Sequence, residues 1–401
     1  MERQEKGFEM AVAERFGVGS TVEGLEVMRQ RPGMFAGSTS RRGLHVMVSG
    51  IVEPAVDGSR AGRCPAIEVT LTADGGVRVS DDGPGIPFAS PADDGGPCLG
   101  ELLIRGDGER DSVNRNQVWS PVGGIDFPVA NGLSSRLTAE VCRGGERWVQ
   151  EYERGIALTA PTLAGTTPRT GTSITFHPDA DLFETVDCSY PVLGERFREL
   201  AFLYPGLDIS LIDERPAEGP AVQRYRFPGG VRDYAASLSC ARSMLPHSDV
   251  TSFSVEDPDG AGVLDVALAW RYGDDMRGRI LTYANGRFTR EGGAHADGFR
   301  QGMAAAVTAY GGAHGLLTAT DPELRPDRLD PDLVAVVSVK LDRPDINGCT
   351  RERLAGGEVH RWVEEAVRYG FLACLEARPE WGDGYVERLL ARLRPTESDT
   401  P

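Results

Sequence analysis

The stretch VSDDGPGIPF at residues 79–88 carries the side chains best suited to bind a small molecule. Asp81 offers a carboxylate that accepts hydrogen bonds from an amino group, and Gly83 and Gly85 permit a tight turn that lets the backbone approach a ligand closely. A single Gly-x-Gly turn is weak evidence, because the same residues also end ordinary strands. The stretch therefore predicts either a nucleotide-binding turn or a plain strand end.

Other reactive side chains match no known site. The seven cysteines are an odd number and include no Cys-x-x-Cys pair, which argues against a disulfide framework and a zinc site. We expect reduced thiols and no metal ligands among them. His45, Cys98 and Asp126 are candidates for a different enzyme chemistry, but their types and spacing form no catalytic constellation.

The composition is that of a soluble globular protein, with 401 residues of which 40% are hydrophobic and 26% charged. This length favours two or three domains. The net charge of −17 argues against nucleic-acid binding by the whole surface but leaves a local basic groove open. The charged start MERQEKGFEMAVAERFG lacks the apolar core of a signal peptide, and no apolar run reaches membrane-spanning length, so we expect a cytoplasmic protein.

A helix followed by a hairpin must position the Asp-Asp-Gly turn. Apolar residues at a 3.6-residue period predict a helix over residues 41–62, and we expect Gly50 and Pro54 to kink or break it. Alternation over residues 66–82, interrupted by Ala-Asp-Gly-Gly, predicts two antiparallel strands. Residues 88–128 are rich in Gly, Asp, Pro and Ser and predict long loops around a short apolar stretch.

The second half predicts further strands and helices beyond a polar, proline-containing boundary at 215–228. The runs VLDVALAWRY, GRILTYANG and LVAVVSVKL predict strands. Helices are predicted over residues 295–311 and around 357–377.

Five ordered stretches resemble one protein family. They are LEVMRQRPGMFAGSTSRRGLH (25–45), DDGPGIP (81–87), TGTSITFHP (170–178), EGGAHADGFRQGM (291–303) and LVAVVSVKLDRPDI (333–346). Together they strongly resemble the amino-terminal half of DNA gyrase B and its topoisomerase IV counterpart, over roughly residues 22–395.

The resemblance implies an α+β fold in two domains. A Bergerat-type (GHKL) ATPase domain, an α/β sandwich, would span residues 21–222, and a ribosomal-protein-S5-like transducer domain would span 223–395. Residues 1–20 would form an arm and 396–401 a tail. In the family, ATP-driven dimerisation drives strand passage by cleavage domains whose Glu-Gly-Asp-Ser-Ala run is absent from this sequence. We therefore expect that this polypeptide alone does not cut DNA.

The resemblance also assigns an adenine pocket. Asp81 would accept a hydrogen bond from the adenine amino group, Gly83 and Gly85 would form the turn, and Thr172 would support the base through water. The apolar positions around the base would be Ile51, Val79 and Ile174.

The residues that hydrolyse ATP in the family are missing. An ungapped alignment of LHVMVSGIVEPAVDG places Gly50 where the family has the Glu that activates water, and Pro54 where it has the Asn that binds Mg²⁺. Glycine accepts no proton, and the proline side chain has no oxygen, so we expect no Mg²⁺ bound through Pro54. Losing a general base costs a factor of roughly 10²–10⁴ in rate. Glu53 is a poor substitute, because neighbouring helical residues point about 100° apart.

The phosphate-binding lid is altered too. The family's glycine-rich run corresponds to SPVGGIDFPVANG (120–132), where Asp126 would place negative charge near the phosphates. Two family arginines are replaced by Pro84 and Val149. In the transducer, Arg351 retains the positive charge that meets the γ-phosphate, although it also fits a solvated surface residue.

Three functions remain open from the sequence. The first is a gyrase-B-like module that does not hydrolyse ATP, binds ATP or ADP weakly, and acts as a binding or regulatory protein. The second is a functional ATPase subunit of a topoisomerase whose cleavage subunit is separate. The third is a different enzyme in the remodelled cleft. The resemblance implies gyrase- or topoisomerase-type subunits, or a second copy of the chain, as partners, and leaves direct DNA binding open.

Overall fold

The computed structural model describes most of the chain. The described residues are 22–60, 66–88, 98–105, 118, 126–239, 250–257, 259, 262–270, 278–318, 321, 324–326, 332–342, 344–347 and 352–393. Among them, those up to Pro228 form one compact unit and those from Gly229 form another. The arm predicted at 1–20 and the tail predicted at 396–401 lie outside the described residues.

The first unit combines six described helices with nine strands. The helices are α1 (Val22–Gln30), α2 (Pro32–Phe35), α3 (Arg41–Arg60), α4 (Leu99–Arg105), α5 (Asp126–Gly132) and α6 (Tyr190–Leu203). The strands are β1 (Ala66–Leu71), β2 (Val77–Asp81), β3 (Ser134–Arg143), β4 (Glu146–Glu153), β5 (Ile156–Ala157), β6 (Thr162–Thr166), β7 (Gly171–Pro178), β8 (Asp208–Asp213) and β9 (Ala221–Tyr225).

These strands form one mixed sheet in the order β5-β4-β3-β7-β2-β1-β8-β9, with β6 also paired to β4. The pair β1–β2 is the antiparallel hairpin that the sequence predicts, and β1–β8 is parallel. Because side chains alternate along a strand, Val69, Val79 and Ile174 face one side, where α3 packs against β1 and β2. The opposite side presents polar side chains such as Glu68 and Ser80.

Helix α3 runs without interruption through Pro54, so the expected break between residues 49 and 54 is absent. An internal proline costs a helix about 3 kcal/mol. The same helix buries six large apolar side chains, each at most 4% exposed, and burial of each contributes about 1.5–3 kcal/mol. Tertiary packing therefore outweighs the local cost. The buried residues are Leu44, Met47, Val48, Ile51, Val52 and Val56.

The second unit is a helix-covered sheet. Its helices are α7 (Val231–Ser239), α8 (Ala294–Ala313), α9 (Gly357–Glu376) and α10 (Pro379–Leu393). Its strands are β10 (Thr251–Glu256), β11 (Gly262–Trp270), β12 (Arg279–Ala284), β13 (Arg287–Phe288) and β14 (Leu333–Leu341), with a short hairpin of β15 (Ile346–Asn347) and β16 (Arg353–Leu354). The sheet order is β10-β11-β14-β12-β13, and β14 is buried along its whole length.

Several elements match the ranges predicted from the sequence closely, whereas helix α10 and the full extent of strand β9 were not predicted. Helices α8 and α9 occupy the positions predicted at 295–311 and 357–377. Helix α10 was not predicted, and it begins at Pro379, where proline is tolerated in a first helical turn. Strand β9 crosses residues 222 and 223 and pairs with β8 as far as Tyr225. The first compact unit accordingly extends to Pro228.

Candidate nucleotide site

Asp81, the last residue of β2, is held by two backbone amides. Its Oδ1 accepts hydrogen bonds from the N–H of Gly83 at 2.9 Å and of Thr172 at 3.4 Å. Its Oδ2 has no hydrogen bond within the described part of the chain. That oxygen is therefore available to accept a hydrogen bond from a ligand's amino group.

Thr172 offers a hydrogen-bond donor beside the acceptor oxygen of Asp81. Its Oγ1 accepts the backbone N–H of Ile86 at 2.9 Å, and the hydroxyl proton remains free to donate. Asp81 and Thr172 thus lie side by side on neighbouring strands β2 and β7, as an acceptor and a donor. This pairing matches the hydrogen-bonding edge of a heterocycle that carries an amino group beside a ring nitrogen.

Close backbone packing requires glycine at Gly85 of the turn and at Gly171 of β7. Gly85 has φ +76°, and a Cβ there would lie 2.6 Å from the carbonyl oxygen of Cys142. Gly171, at the start of β7, has φ +137°, and a Cβ would lie 2.0 Å from the carbonyl oxygen of Asp81. A larger residue at Gly171 would displace the strand end that carries Asp81, and a larger residue at Gly85 would push the turn away from β3.

Three apolar side chains line the same side of the sheet. Val79 and Ile174 are cross-strand partners on β2 and β7, and Ile51 belongs to α3, which packs against β2. Each is at most 4% exposed. Because side chains alternate, Asp81 and Thr172 share the face of Val79 and Ile174. Val79, Ile174, Asp81 and Thr172, all predicted to surround a base, thus lie on one face of the sheet, against which the helix of Ile51 packs.

Burial affects the charge state of Asp81. Removal from water raises the pKa of this carboxyl, and the hydrogen bonds from Gly83 and Thr172 offset only part of that effect. A carboxylate that is poorly solvated gains more from a ligand donor than an exposed one does. The site is therefore suited to an uncharged or cationic donor rather than to an anion.

The positions expected to supply catalysis lie on α3 and carry no functional groups. Gly50 is buried, and Pro54 lies inside the helix. Glu53 is also buried, at 3% exposed, and its Oε1 accepts a hydrogen bond from Arg196 of α6 at 3.1 Å. This ion pair joins Oε1 of Glu53 to α6, while Oε2 is buried without a hydrogen-bond partner within the described part of the chain.

The described residues do not fit a magnesium site at this position. Mg²⁺ in nucleotide sites prefers carboxylate or amide oxygens together with phosphate. Neither Gly50 nor Pro54 has a side-chain oxygen, and the described part of the chain contains no group of three His, Cys, Asp or Glu that could hold a metal. Gly50 and Pro54 of α3 therefore offer no oxygen ligand to Mg²⁺.

Part of the phosphate side lies outside the described residues. Residues 120–125 of the lid and Arg351 belong to that part, as does the side chain of Asp126, although its backbone begins α5. Val149 lies in β4 and Pro84 is exposed. The roles predicted for Arg351 and Asp126 remain predictions.

The contacts of His45 and the burial of Cys98 are those of residues with a structural role. His45 Nε2 accepts the backbone N–H of Ser189 at 3.0 Å, and burial, reinforced by the charge of Arg41, lowers the pKa of its imidazole. Cys98 is buried, and burial raises the pKa of its thiol, which disfavours the reactive thiolate. Neither residue is placed for acid–base or nucleophilic chemistry.

Two contributors to the site were missed by sequence reasoning. Gly171 appeared only within the stretch TGTSITFHP, although a glycine in a strand often marks the close approach of another backbone. Arg143, at the end of β3, donates from Nη1 to the carbonyl oxygen of Gly85 at 3.0 Å. The contact joins residues 58 apart in the chain, and no local sequence pattern signals it.

Among the described residues, no helix is both long enough and apolar enough to cross a membrane. Four free thiols are described, at Cys98, Cys142, Cys188 and Cys374.

Comparisons with known proteins identify the family. The sequence profile of the DNA gyrase B family matches residues 230–398. DNA gyrase B of Streptomyces coelicolor is 35% identical over 377 residues, which cover 90% of this chain and 54% of the relative. DNA gyrase B of Haloferax lucentense is 34% identical over 394 residues, which cover 96% of this chain and 60% of the relative. The chain thus spans somewhat more than half the length of these relatives.

A solved structure shows the same fold. The 43K ATPase domain of Thermus thermophilus gyrase B, in complex with an aminocoumarin, superposes with a TM-score of 0.76 and 30% identity, covering 92% of this chain and 94% of that one. The predicted fold, a GHKL ATPase domain followed by a transducer domain, is therefore confirmed. With a relative of this identity covered over nearly its whole length, the chain belongs to the DNA gyrase B family.

Proposed function

We propose that this chain is a gyrase-B-type ATPase–transducer module that binds adenine nucleotides weakly and does not hydrolyse ATP. The observation that carries the proposal is the composition of α3 beside the candidate pocket. By resemblance to the family, Gly50 and Pro54 stand where the general base and the metal ligand are expected, and Arg196 pairs with the neighbouring carboxylate, Glu53.

We divide the proposed site into an adenine half and a phosphate half according to the side chains that each half contains. Asp81 Oδ2 and the Thr172 hydroxyl recognise the amino edge of adenine, and Ile51, Val79 and Ile174 enclose the ring. A triphosphate would find no metal ligand at Gly50 or Pro54 of α3. Without a positioned base and without Mg²⁺, the charge that develops on the phosphates during hydrolysis is not neutralised.

A non-hydrolysing module of this family acts through binding. We propose that its partners are gyrase- or topoisomerase-type subunits or a second copy of this chain, and that it regulates rather than powers strand passage. The similarity of this chain to DNA gyrase B proteins in sequence and fold supports this partner class.

The second candidate is a functional ATPase subunit that works with separate cleavage subunits. Family membership and 35% identity to a DNA gyrase B protein favour it. It requires a base and a metal ligand from residues other than Gly50, Glu53 and Pro54.

ATP hydrolysis by the purified chain separates the two candidates. We expect turnover with Mg²⁺ to equal that of an Asp81→Ala variant, whose pocket cannot bind adenine. A double variant with Gly50→Glu and Pro54→Asn restores both side chains and is the matched comparison, and we expect any measurable turnover to appear there. Wild-type turnover well above the Asp81→Ala background would instead establish the functional ATPase.

A further inference from the structure

Arg143 contacts the ligand-binding turn from β3, which is separated from β2 by strand β7. It is the last residue of β3 and is half-buried. Its Nη1 donates a hydrogen bond to the carbonyl oxygen of Gly85 at 3.0 Å and reaches the carbonyl oxygen of Pro84 at 3.5 Å. The guanidinium therefore spans two successive peptide groups of the turn.

Among the described residues, hydrogen bonds hold the turn to the sheet at three points. The N–H of Gly83 donates to Asp81, the N–H of Ile86 donates to Thr172, and the carbonyl of Gly85 accepts from Arg143. The first two ties use the side chains that would face a ligand. Arg143 supplies a tie that uses neither of them.

This third tie matters because of the backbone at Gly85. The residue has φ +76°, and glycine is the residue whose backbone is least restricted. If the carbonyl of Gly85 were released, the peptide could rotate and carry the N–H of Ile86 away from Thr172. The Thr172 hydroxyl and the Asp81 carboxylate would then lose their fixed orientation.

We propose that Arg143 is a positioning residue for the adenine pocket: by holding the carbonyls of Pro84 and Gly85, it keeps the turn in the geometry that aims Asp81 and Thr172 at the base. The proposal rests on the nucleotide-binding function proposed above. Arg143 acts through the turn and is not itself a contact of the base. Holding the turn before the ligand arrives reduces the ordering cost of binding.

The test combines two readouts on matched variants. Arg143→Met removes the donors and keeps the side-chain stem, and Arg143→Lys keeps the charge and one donor group. Arg136→Met is the control, because Arg136 lies near the other end of β3 and pairs with Asp74 at the surface. Hydrogen exchange of the protein without added nucleotide reports the turn, and calorimetry with adenosine and ADP reports the pocket.

We expect Arg143→Met to accelerate exchange of the Gly83 and Ile86 amides by roughly fivefold to tenfold, the effect of losing one hydrogen bond. Its Kd for adenosine and for ADP should rise by a similar factor, while the thermal midpoint stays equal to that of Arg136→Met. In Arg143→Lys, the exchange rates of these amides and the Kd values should stay close to those of wild type. The Arg136→Met variant should match wild type in exchange at residues 83–86 and in Kd.

Three results would overturn the proposal. They are unchanged exchange at residues 83–86 in Arg143→Met, faster exchange with no change in Kd, and equal effects in the Arg136→Met control. If the wild-type chain binds neither adenosine nor ADP, the proposed function fails instead. The exchange measurement still decides whether Arg143 holds the turn, because it needs no ligand.

Discussion

At the scale of single residues, Asp81 combines binding with a cost in stability. Its carboxylate is partly removed from water, and that burial raises its pKa in the folded chain. A raised carboxyl pKa means that folding is disfavoured when the group is ionised. The cost is absent below the pKa of the unfolded chain, about 3.9, and appears as the pH rises through the folded pKa.

We therefore expect Asp81→Asn to be at least as stable as wild type at pH 7, since the amide oxygen can still accept from Gly83 and Thr172. The advantage should vanish as the pH falls below about 4, the pKa of an unfolded Asp, because the wild-type carboxyl is then neutral. Thermal unfolding across this pH range measures it. Binding of adenosine should be lost in the same variant, because an amide N–H₂ would face the adenine amino group.

The Asp82→Asn variant is the control for the loss of adenosine binding. Asp82 is the exposed neighbour of Asp81, and its Oδ1 accepts the backbone N–H of Ala66. It should leave binding unchanged. A loss of stability in Asp81→Asn at pH 7 would contradict the account of a carboxylate that is costly to ionise.

At the scale of elements, α3 shows how tertiary packing overrides local preference. The sequence indicated a helix that begins at Arg41, and of the kink or break expected around Pro54 the break is absent, since the helix continues to Arg60. The buried apolar face outweighs the lost hydrogen bond, and that balance depends on the strands β1 and β2, which local propensity does not include.

Pro54 should still cost the helix stability. We expect Pro54→Ala to raise the free energy of unfolding by about 1–3 kcal/mol, because it restores the hydrogen bond to the carbonyl of Gly50. The corresponding rise in thermal midpoint is about 2–4 °C per kcal/mol for a unit of this size. Pro191→Ala is the matched control, since Pro191 lies in the first turn of α6, where no intrahelical donor is needed. Equal effects of both substitutions would contradict this explanation.

Helix α1 is anchored to the sheet by a buried ion pair. Asp179, 3% exposed, accepts a hydrogen bond from Arg29 at 2.5 Å and is contacted by Arg154. Burial alone would raise the pKa of Asp179, but the hydrogen bonds from Arg29 and from the N–H of Asp181, with the charges of Arg29 and Arg154, lower it. This stabilisation is present above the unfolded pKa of about 3.9 and is lost as the pH falls through the folded value.

Replacing Asp179 by Asn should destabilise the first unit by about 3 kcal/mol at pH 7, because Arg29 then lacks its charged partner. Chemical denaturation measures the change, and the difference from wild type should shrink in acid. Asp181→Asn is the control, since Asp181 pairs with Arg154 at an exposed position. An equal effect of the two substitutions would show that burial does not decide the strength of this pair.

At the scale of the whole molecule, the elements were more predictable than the contacts that complete the site. The hairpin β1–β2, the strand β14 and the helices α8 and α9 follow from apolar periodicity, a local property. The ion pair of Glu53 with Arg196 joins residues 143 apart, and such a contact depends on the assembled sheet and helices. The positions of Asp81 and Thr172 were predictable because the resemblance already placed them.

The central claim is that the adenine half of the site is retained while the phosphate half is not. Calorimetry with ATP and ADP, each with and without Mg²⁺, tests it most directly, alongside light scattering for the oligomeric state. We predict weak binding with nearly equal Kd values in all four titrations, because Asp81 and Thr172 recognise the base while Gly50 and Pro54 offer no metal ligand. We also predict no change of oligomeric state on adding nucleotide. A strong preference for ATP with Mg²⁺, accompanied by a shift from monomer to dimer, would contradict the claim.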